Sequence, residues 1–269
     1  MSGVRDRLRR TAARVRSVAD PMVPRGRVRG AAGCGAGDFV QIGDDFFALF
    51  RRAGLVPSDD VLDVGCGFGR MARPMVGWLQ GRYEGFDVAP EPIEWCRSRI
   101  ARRNPSFGFS LLDIANDVYN PDGSASAAAV RFPYDDDSFD FAVLTSVFTH
   151  LVAPELLRYL DELSRVVRPG GTVFATYFLL DPEVELALRE RRTWRPMPDR
   201  ATDPELGEYR LADRSAPSEA VAYGRDAVEA AHSRRGLEVE TVWRGGWSGR
   251  PDGVTAHDVV VSRLAASTR

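Results

Sequence analysis

One run, Val61-Leu62-Asp63-Val64-Gly65-Cys66-Gly67-Phe68-Gly69-Arg70, constrains the fold of this chain more than any other stretch. A short apolar strand ends in three alternate glycines and then enters a helix. In an open α/β sheet, ligands lie at the carboxyl ends of the strands, where the backbone has to pass close to them. Glycine permits that approach and tolerates positive φ. The free N–H groups at the helix start are directed at a carboxylate or another anion. The run is not the dinucleotide fingerprint Gly-x-Gly-x-x-Gly, because the third position is Arg70 counted from Gly65 and Ala72 counted from Gly67.

A strand–helix rhythm continues from this point. Asp44 or Asp45 caps a helix through Phe46, Phe47, Leu49 and Phe50 that stops at Gly54, and residues 70–79 read as a helix tolerating Pro74 near its start. Strands are expected at 83–87, 107–112, 139–145 and 172–177, with helices at 91–103 and 154–167 between them. Asn120-Pro121-Asp122-Gly123 signals a turn, suggesting a small hairpin insertion. Residues 181–222 break the rhythm and are expected to form a lid or acceptor insert rather than a second domain. A helix at 225–235 and strands at 237–243 and 257–263 close the chain. The expected fold is a doubly wound α/β domain over 38–269, with a mostly parallel sheet and a C-terminal antiparallel hairpin. A basic arm and a Gly/Ala linker occupy residues 1–37.

Several residues carry candidate chemistry. Asp87 closes the second strand about 20 residues after the glycine loop, where a carboxylate accepts hydrogen bonds from ribose hydroxyls. Asp113, after the third strand, is placed to accept from an adenine amine, with Val88 and Ile114 sandwiching the ring. His150, just beyond the fourth strand, is the candidate base, and Tyr177, at the expected end of the fifth, is a second candidate lining the pocket. His232 and His257 read as structural or surface residues. Trp194, Tyr209, Tyr223, Trp243 and Trp247 supply aromatic surface for an acceptor wall or for ordinary packing.

In order along the chain, the glycine loop, Asp87, Asp113, Phe132-Pro133-Tyr134-Asp135-Asp136-Asp137-Ser138-Phe139-Asp140 and Arg165-Val166-Val167-Arg168-Pro169-Gly170-Gly171 resemble the class I S-adenosylmethionine-dependent methyltransferases, small-molecule type. The resemblance covers roughly residues 39–177. It implies a seven-stranded sheet with one antiparallel strand and S-adenosyl-L-methionine lying across the strand ends. It places Asp63, Gly65, Cys66, Gly67, Gly69 and Arg70 in the cofactor loop, Gly65 and Gly67 against the methionine part, Asp87 at the ribose and Asp113 near the adenine. Backbone around Thr145 and Ser146 would meet the methionine amino group. The implied reaction is methyl transfer to a small-molecule acceptor (a metabolite, sugar or secondary product), most commonly at oxygen. The lengthened 113–131 connection, the basic arm and the 181–222 insert depart from the family pattern.

Composition narrows the alternatives. The net charge of −2 gives no global attraction to nucleic acid, and the place of the Asn/Asp-Pro-Pro-Tyr motif of amino-methylating DNA enzymes reads Thr145-Ser146-Val147-Phe148. A nucleic-acid methyltransferase would rest on the basic arm alone, which offers a peripheral membrane contact as its other use. A non-catalytic cofactor-binding protein and an NAD(P)-dependent oxidoreductase are the remaining classes. The intact loop argues against the first of these and the glycine spacing against the second. Three scattered cysteines, Cys34, Cys66 and Cys96, form no Cys-x-x-Cys pair, so neither a metal site nor a disulfide framework is expected. No stretch approaches the roughly 20 apolar residues of a membrane-spanning helix, and a cytoplasmic setting is the expectation. The oligomeric state leaves no mark on the sequence.

Overall fold

The computed structural model describes residues 20–25 and 39–266. Most of the basic arm, Cys34 and the Gly/Ala linker lie outside the described residues.

Five parallel strands form the centre: β1 (Val61–Val64), β2 (Tyr83–Asp87), β3 (Phe107–Leu111), β4 (Phe139–Leu144) and β5 (Val167–Leu180), in the spatial order β3-β2-β1-β4-β5. The chain proceeds from β1 toward β2 on one side, while β4 lies on the other, so the order reverses between β1 and β4. That reversal is where an open α/β sheet leaves a crevice beyond its strand ends. All four residues of β1 are buried, as a strand covered on both faces requires. Leu62 and Val64 pack into the core under α4 (Ala153–Val166) and α6 (Arg225–Ser233). Val61 packs on the opposite face, into the core under α1 (Phe39–Arg52), α2 (Ala72–Met75) and α3 (Pro90–Arg99).

β10 (Asp258–Leu264) pairs antiparallel with β5 and with β9 (Leu237–Trp243). These two strands complete the expected seven. Three more are added by the 181–222 insert, which is more regular than its composition suggests. After α5 (Pro182–Arg189), β6 (Asp199–Asp203), β7 (Gly207–Leu211) and β8 (Val221–Gly224) form an antiparallel meander, and β8 joins β5 in parallel at Phe178–Leu180. β5 accommodates this because it runs 14 residues, well past the expected end at Tyr177. Val221 N–H donates to the Thr149 carbonyl at 2.9 Å, so β8 takes up the edge of β5 where β4 leaves off.

Other boundaries also shift. The expected 70–79 helix shrinks to the single turn of α2, with Gly77 at φ +78° two residues beyond it. α1 starts at Phe39 rather than at Asp44. The Asn120 turn is present, but its flanks form only isolated bridges, Ile114 with Ala125 and Asn116 with Asn120, followed by a 3-10 turn at Ala127–Ala129.

The second family-like segment is a brace. Glu162 of α4, buried, accepts from Phe132 N–H at 2.8 Å and from Arg158 and Arg165. Arg165 also donates to the Phe132 and Tyr134 carbonyls and to Asp136. The burial cost of the Glu162 carboxylate is thus met by directed donors, and the entry to β4 is fixed.

Candidate active site

A cavity of about 770 Å³ opens at the reversal between β1 and β4, within the ~300–1,000 Å³ usual for small-molecule sites. Gly65, Cys66, Gly67 and Arg70 from the glycine loop line it, together with Asp87 and Val88 at the end of β2, Ile114 and Asn116 after β3, and Thr145, Ser146 and His150 after β4. Gly65 and Gly67 take φ of +69° and +50°. At Gly65 a Cβ would stand 2.6 Å from Val147 Cγ2, so the two sides of the crevice meet there. At Gly67 a Cβ would find nothing within 4 Å, which leaves the loop backbone open for a ligand.

Asp87 secures this loop. Its Oδ2 accepts from Gly67 N–H at 2.8 Å and its Oδ1 from Ala89 N–H at 2.9 Å. Burial raises its pKa while the backbone donors oppose the rise. Each oxygen has a second lone pair for a hydroxyl pair such as that of a ribose. Beneath the loop, Asp63 is fully buried. Tyr83 OH donates to its Oδ2, its Oδ1 has no partner, and desolvation pushes its pKa up to about 7. The open face at Gly67, the carboxylate of Asp87 and the cavity's size all fit S-adenosylmethionine.

Some sequence candidates fall away from the cavity. Asp63 and Gly69 support the loop from below; a Cβ on Gly69 would stand 2.4 Å from Ile100 Cδ1. Asp113 is exposed and absent from the lining, its carboxylate taken by Ser124 Oγ at 2.5 Å and Asn120 Nδ2 at 3.3 Å within the turn insertion. Asn116 occupies the lining in its stead. Tyr177 lies in the core, where its OH meets His232 Nε2 at 2.7 Å and His232 Nδ1 meets Ser262 Oγ at 3.0 Å. The cause is strand period: β5 continues past Tyr177, and Thr176, one residue earlier on the opposite face, meets the crevice by accepting from Ser146 N–H at 2.7 Å.

His150 lines the cavity. Its Nδ1 is 2.9 Å from the Ser218 carbonyl of the insert, and a carbonyl only accepts, so Nδ1 carries the proton and Nε2 keeps its lone pair. Burial lowers its pKa below the usual 6.5, which favours the neutral ring. Tyr119, from the turn insertion, stands edge-on to it with centroids 5.5 Å apart.

Tyr119 and Ser218 go unmarked in the sequence, and His257, which reads there as a structural or surface residue, stands beside Ser146 of the cavity lining. His257 carries a signal in retrospect: it immediately precedes β10, and an antiparallel strand begins where its parallel neighbours end. Among the described residues no cluster of His, Cys, Asp or Glu could hold a metal ion, and no helix is long and apolar enough to cross a membrane.

Comparison with known proteins agrees with this fold. Residues 62–175 match a family model described as a methyltransferase domain. Over 129 residues the chain is 30% identical to the sterol 24-C-methyltransferase erg6 of Schizosaccharomyces pombe, covering 48% of this chain and 30% of that protein. Over 131 residues it is 33% identical to the phthiotriol/phenolphthiotriol dimycocerosates methyltransferase of Mycobacterium tuberculosis, covering 48% of this chain and 41% of that protein. The chain thus spans less than half the length of these relatives. Among solved structures, the PH0226 protein from Pyrococcus horikoshii OT3 matches in fold with a TM-score of 0.58 at 16% identity, covering 86% of this chain and 92% of that one.

Proposed function

From the premise that this chain belongs to the class I S-adenosylmethionine-dependent methyltransferases, we propose that it methylates a hydroxyl of a small, largely apolar acceptor, with His150 as the base. The observation that carries this reading is the continuity of one cavity from the open backbone at Gly67 to His150, whose hydrogen bond to Ser218 leaves Nε2 free to accept a proton.

When bound, S-adenosylmethionine supplies an activated methyl group on a sulfonium. The task left to the protein is to align the acceptor, exclude water and take one proton. Gly65, Gly67 and Asp87 would hold the cofactor, with Val88 and Ile114 at its ring and the Thr145–Ser146 backbone at its amino-acid end. Phe39, Phe68, Val147 and Leu151 make the remaining wall largely apolar. His150 Nε2 would accept the hydroxyl proton as the new C–O bond forms. A neutral imidazole suits an acceptor that arrives protonated and uncharged. The two named relatives are, by their names, a sterol 24-C-methyltransferase and a phthiotriol/phenolphthiotriol dimycocerosates methyltransferase. We take 38–269 as one catalytic domain, with 181–222 contributing to the acceptor side through Ser218.

Calorimetric titration with S-adenosylmethionine, S-adenosylhomocysteine and NADH tests the cofactor half. Micromolar binding of the first two and none of NADH is expected; binding of NADH alone would refute the reading. A screen of apolar alcohols and phenols against the loaded protein tests the acceptor half, and transfer to nitrogen acceptors only would overturn the hydroxyl assignment.

A further inference from the structure

The turn that follows β4 is held in a costly conformation by residues distant in sequence. Among the described residues, Asp137, Ser146 and Arg191 are the non-glycine positions at positive φ, and of these Ser146, at +61°, lines the cavity. Such a conformation at a cavity persists only where the surroundings impose it. Two contacts do so: Ser146 N–H donates to Thr176 Oγ1 at 2.7 Å, and Ser146 Oγ lies 3.4 Å from His257 Nδ1.

His257 is itself firmly held. Its ring lies edge-on to Phe178, with centroids 4.8 Å apart, and against Trp194 at 6.1 Å. A Cβ on Gly245 would stand 2.2 Å from its backbone carbon, so the loop between β9 and β10 is threaded tightly past it. Asp258, buried, pins the same loop by accepting from Gly245 N–H, Trp247 Nε1 and Leu179 N–H.

What the turn controls lies on both sides of it. Val147, the next residue, fills the space that a Cβ on Gly65 would need, so it sits against the glycine loop. The Val147 carbonyl accepts from His150 N–H at 2.8 Å, so the same turn also sets His150. We propose that His257 is a positioning residue: through Ser146 Oγ it fixes the turn that seats Val147 against Gly65 and carries His150. From the sequence alone, His257 reads as a structural or surface residue. The inference rests on the cofactor reading of the glycine loop, and it is tested by binding, which needs no acceptor.

The probe is S-adenosylhomocysteine, titrated calorimetrically into wild type, His257→Phe, Ser146→Gly and the double variant, with thermal midpoints confirming folding. Phenylalanine keeps the packing on Phe178 and Trp194 but removes the nitrogen. Glycine keeps the positive φ but removes the hydroxyl. Each single variant should weaken binding roughly five- to tenfold, the range expected for losing one neutral hydrogen bond. The double variant should be within about twofold of the weaker single, because both delete the same interaction. His257→Asn, which offers a polar atom near the place of Nδ1, should recover part of the loss. Unchanged binding in either single variant, or losses that multiply in the double, would overturn the proposal. If His257→Phe fails to fold, His257→Asn with and without Ser146→Gly supplies the same cycle, and multiplying losses there overturn it equally. A wild type that does not bind S-adenosylhomocysteine would fail at the earlier step, the cofactor reading itself.

Discussion

The two sides of the cavity, a cofactor side and an acceptor side in the proposed reading, are built on different principles. The cofactor side is local: Gly65 and Gly67 sit directly after β1, and Asp87, 20 residues beyond Gly67, ties the loop to the end of β2. The acceptor side is assembled from afar. His150 is oriented by a carbonyl 68 residues away, while the Ser146–His257 contact, across 111 residues, lies on the turn between the two sides. A local site is fixed by the strand order alone. A composite one depends on how the insert happens to dock, and that part can change while the cofactor side stays the same.

The two sides should therefore fail separately. The largest effect is expected from His150→Ala, which should lower turnover by about 10²–10⁴-fold with S-adenosylhomocysteine affinity nearly intact. In the wild type the acid limb of the rate profile should fall below pH 6.5, because burial depresses the His150 pKa. Full turnover in the folded variant would remove His150 from the chemistry. Next, Asp87→Ala should weaken cofactor binding by about 1.5–3 kcal/mol, since it deletes a charged acceptor together with the anchor of the loop. Unchanged affinity by calorimetry would show that the loop holds without it. A variant on either side that damaged both functions equally would break the comparison.

The same contrast explains what could be read from the sequence. That Gly65, Gly67 and Asp87 line one cavity is legible because a strand end, a loop and the next strand end are close in the chain. Asp113 was misplaced because the insertion after β3 supplies its own partners, Ser124 and Asn120, and draws the carboxylate away. Tyr177 was misplaced because β5 runs on to pair with β8, so the residue is not at a strand end at all. The 181–222 insert looked irregular because its strands are short. β6 is exposed or half-exposed throughout, so it carries no apolar period. Ser218 contributes a backbone carbonyl, and no side-chain pattern announces that.

A smaller effect separates the site from its support through pH. The pKa of His232 is about 3 in the folded protein against 6.5 ordinarily, because desolvation disfavours its cation. The unfolded chain then binds the proton first as pH falls below 6.5, so this group's stabilisation is full above 6.5 and is lost progressively toward 3. Asp63 acts oppositely: its folded pKa near 7 lies above the ordinary 3.8, so its contribution is present at low pH and lost as pH rises toward 7. The two slopes offset each other in the wild type, and a variant is needed to separate them. His232→Phe should gain stability relative to wild type between pH 6.5 and pH 5. Urea midpoints that keep a constant difference over that range would show that His232 does not titrate as its burial requires.

The smallest effect on the site itself is expected from Tyr177→Phe, and it discriminates most sharply between the sequence reading and the structure. The substitution keeps the ring stacked on Phe148 at 5.0 Å and removes only the hydroxyl that meets His232 Nε2. A buried nitrogen left without its partner costs about 1–3 kcal/mol, which urea titration resolves. If Tyr177 belongs to the core, turnover and cofactor affinity at saturating concentrations should match wild type while the midpoint falls. If turnover fell without a loss of stability, Tyr177 would have to reach the cavity after all. The far side of β5 would then belong to the site, and the division between a local cofactor side and a composite acceptor side would no longer hold.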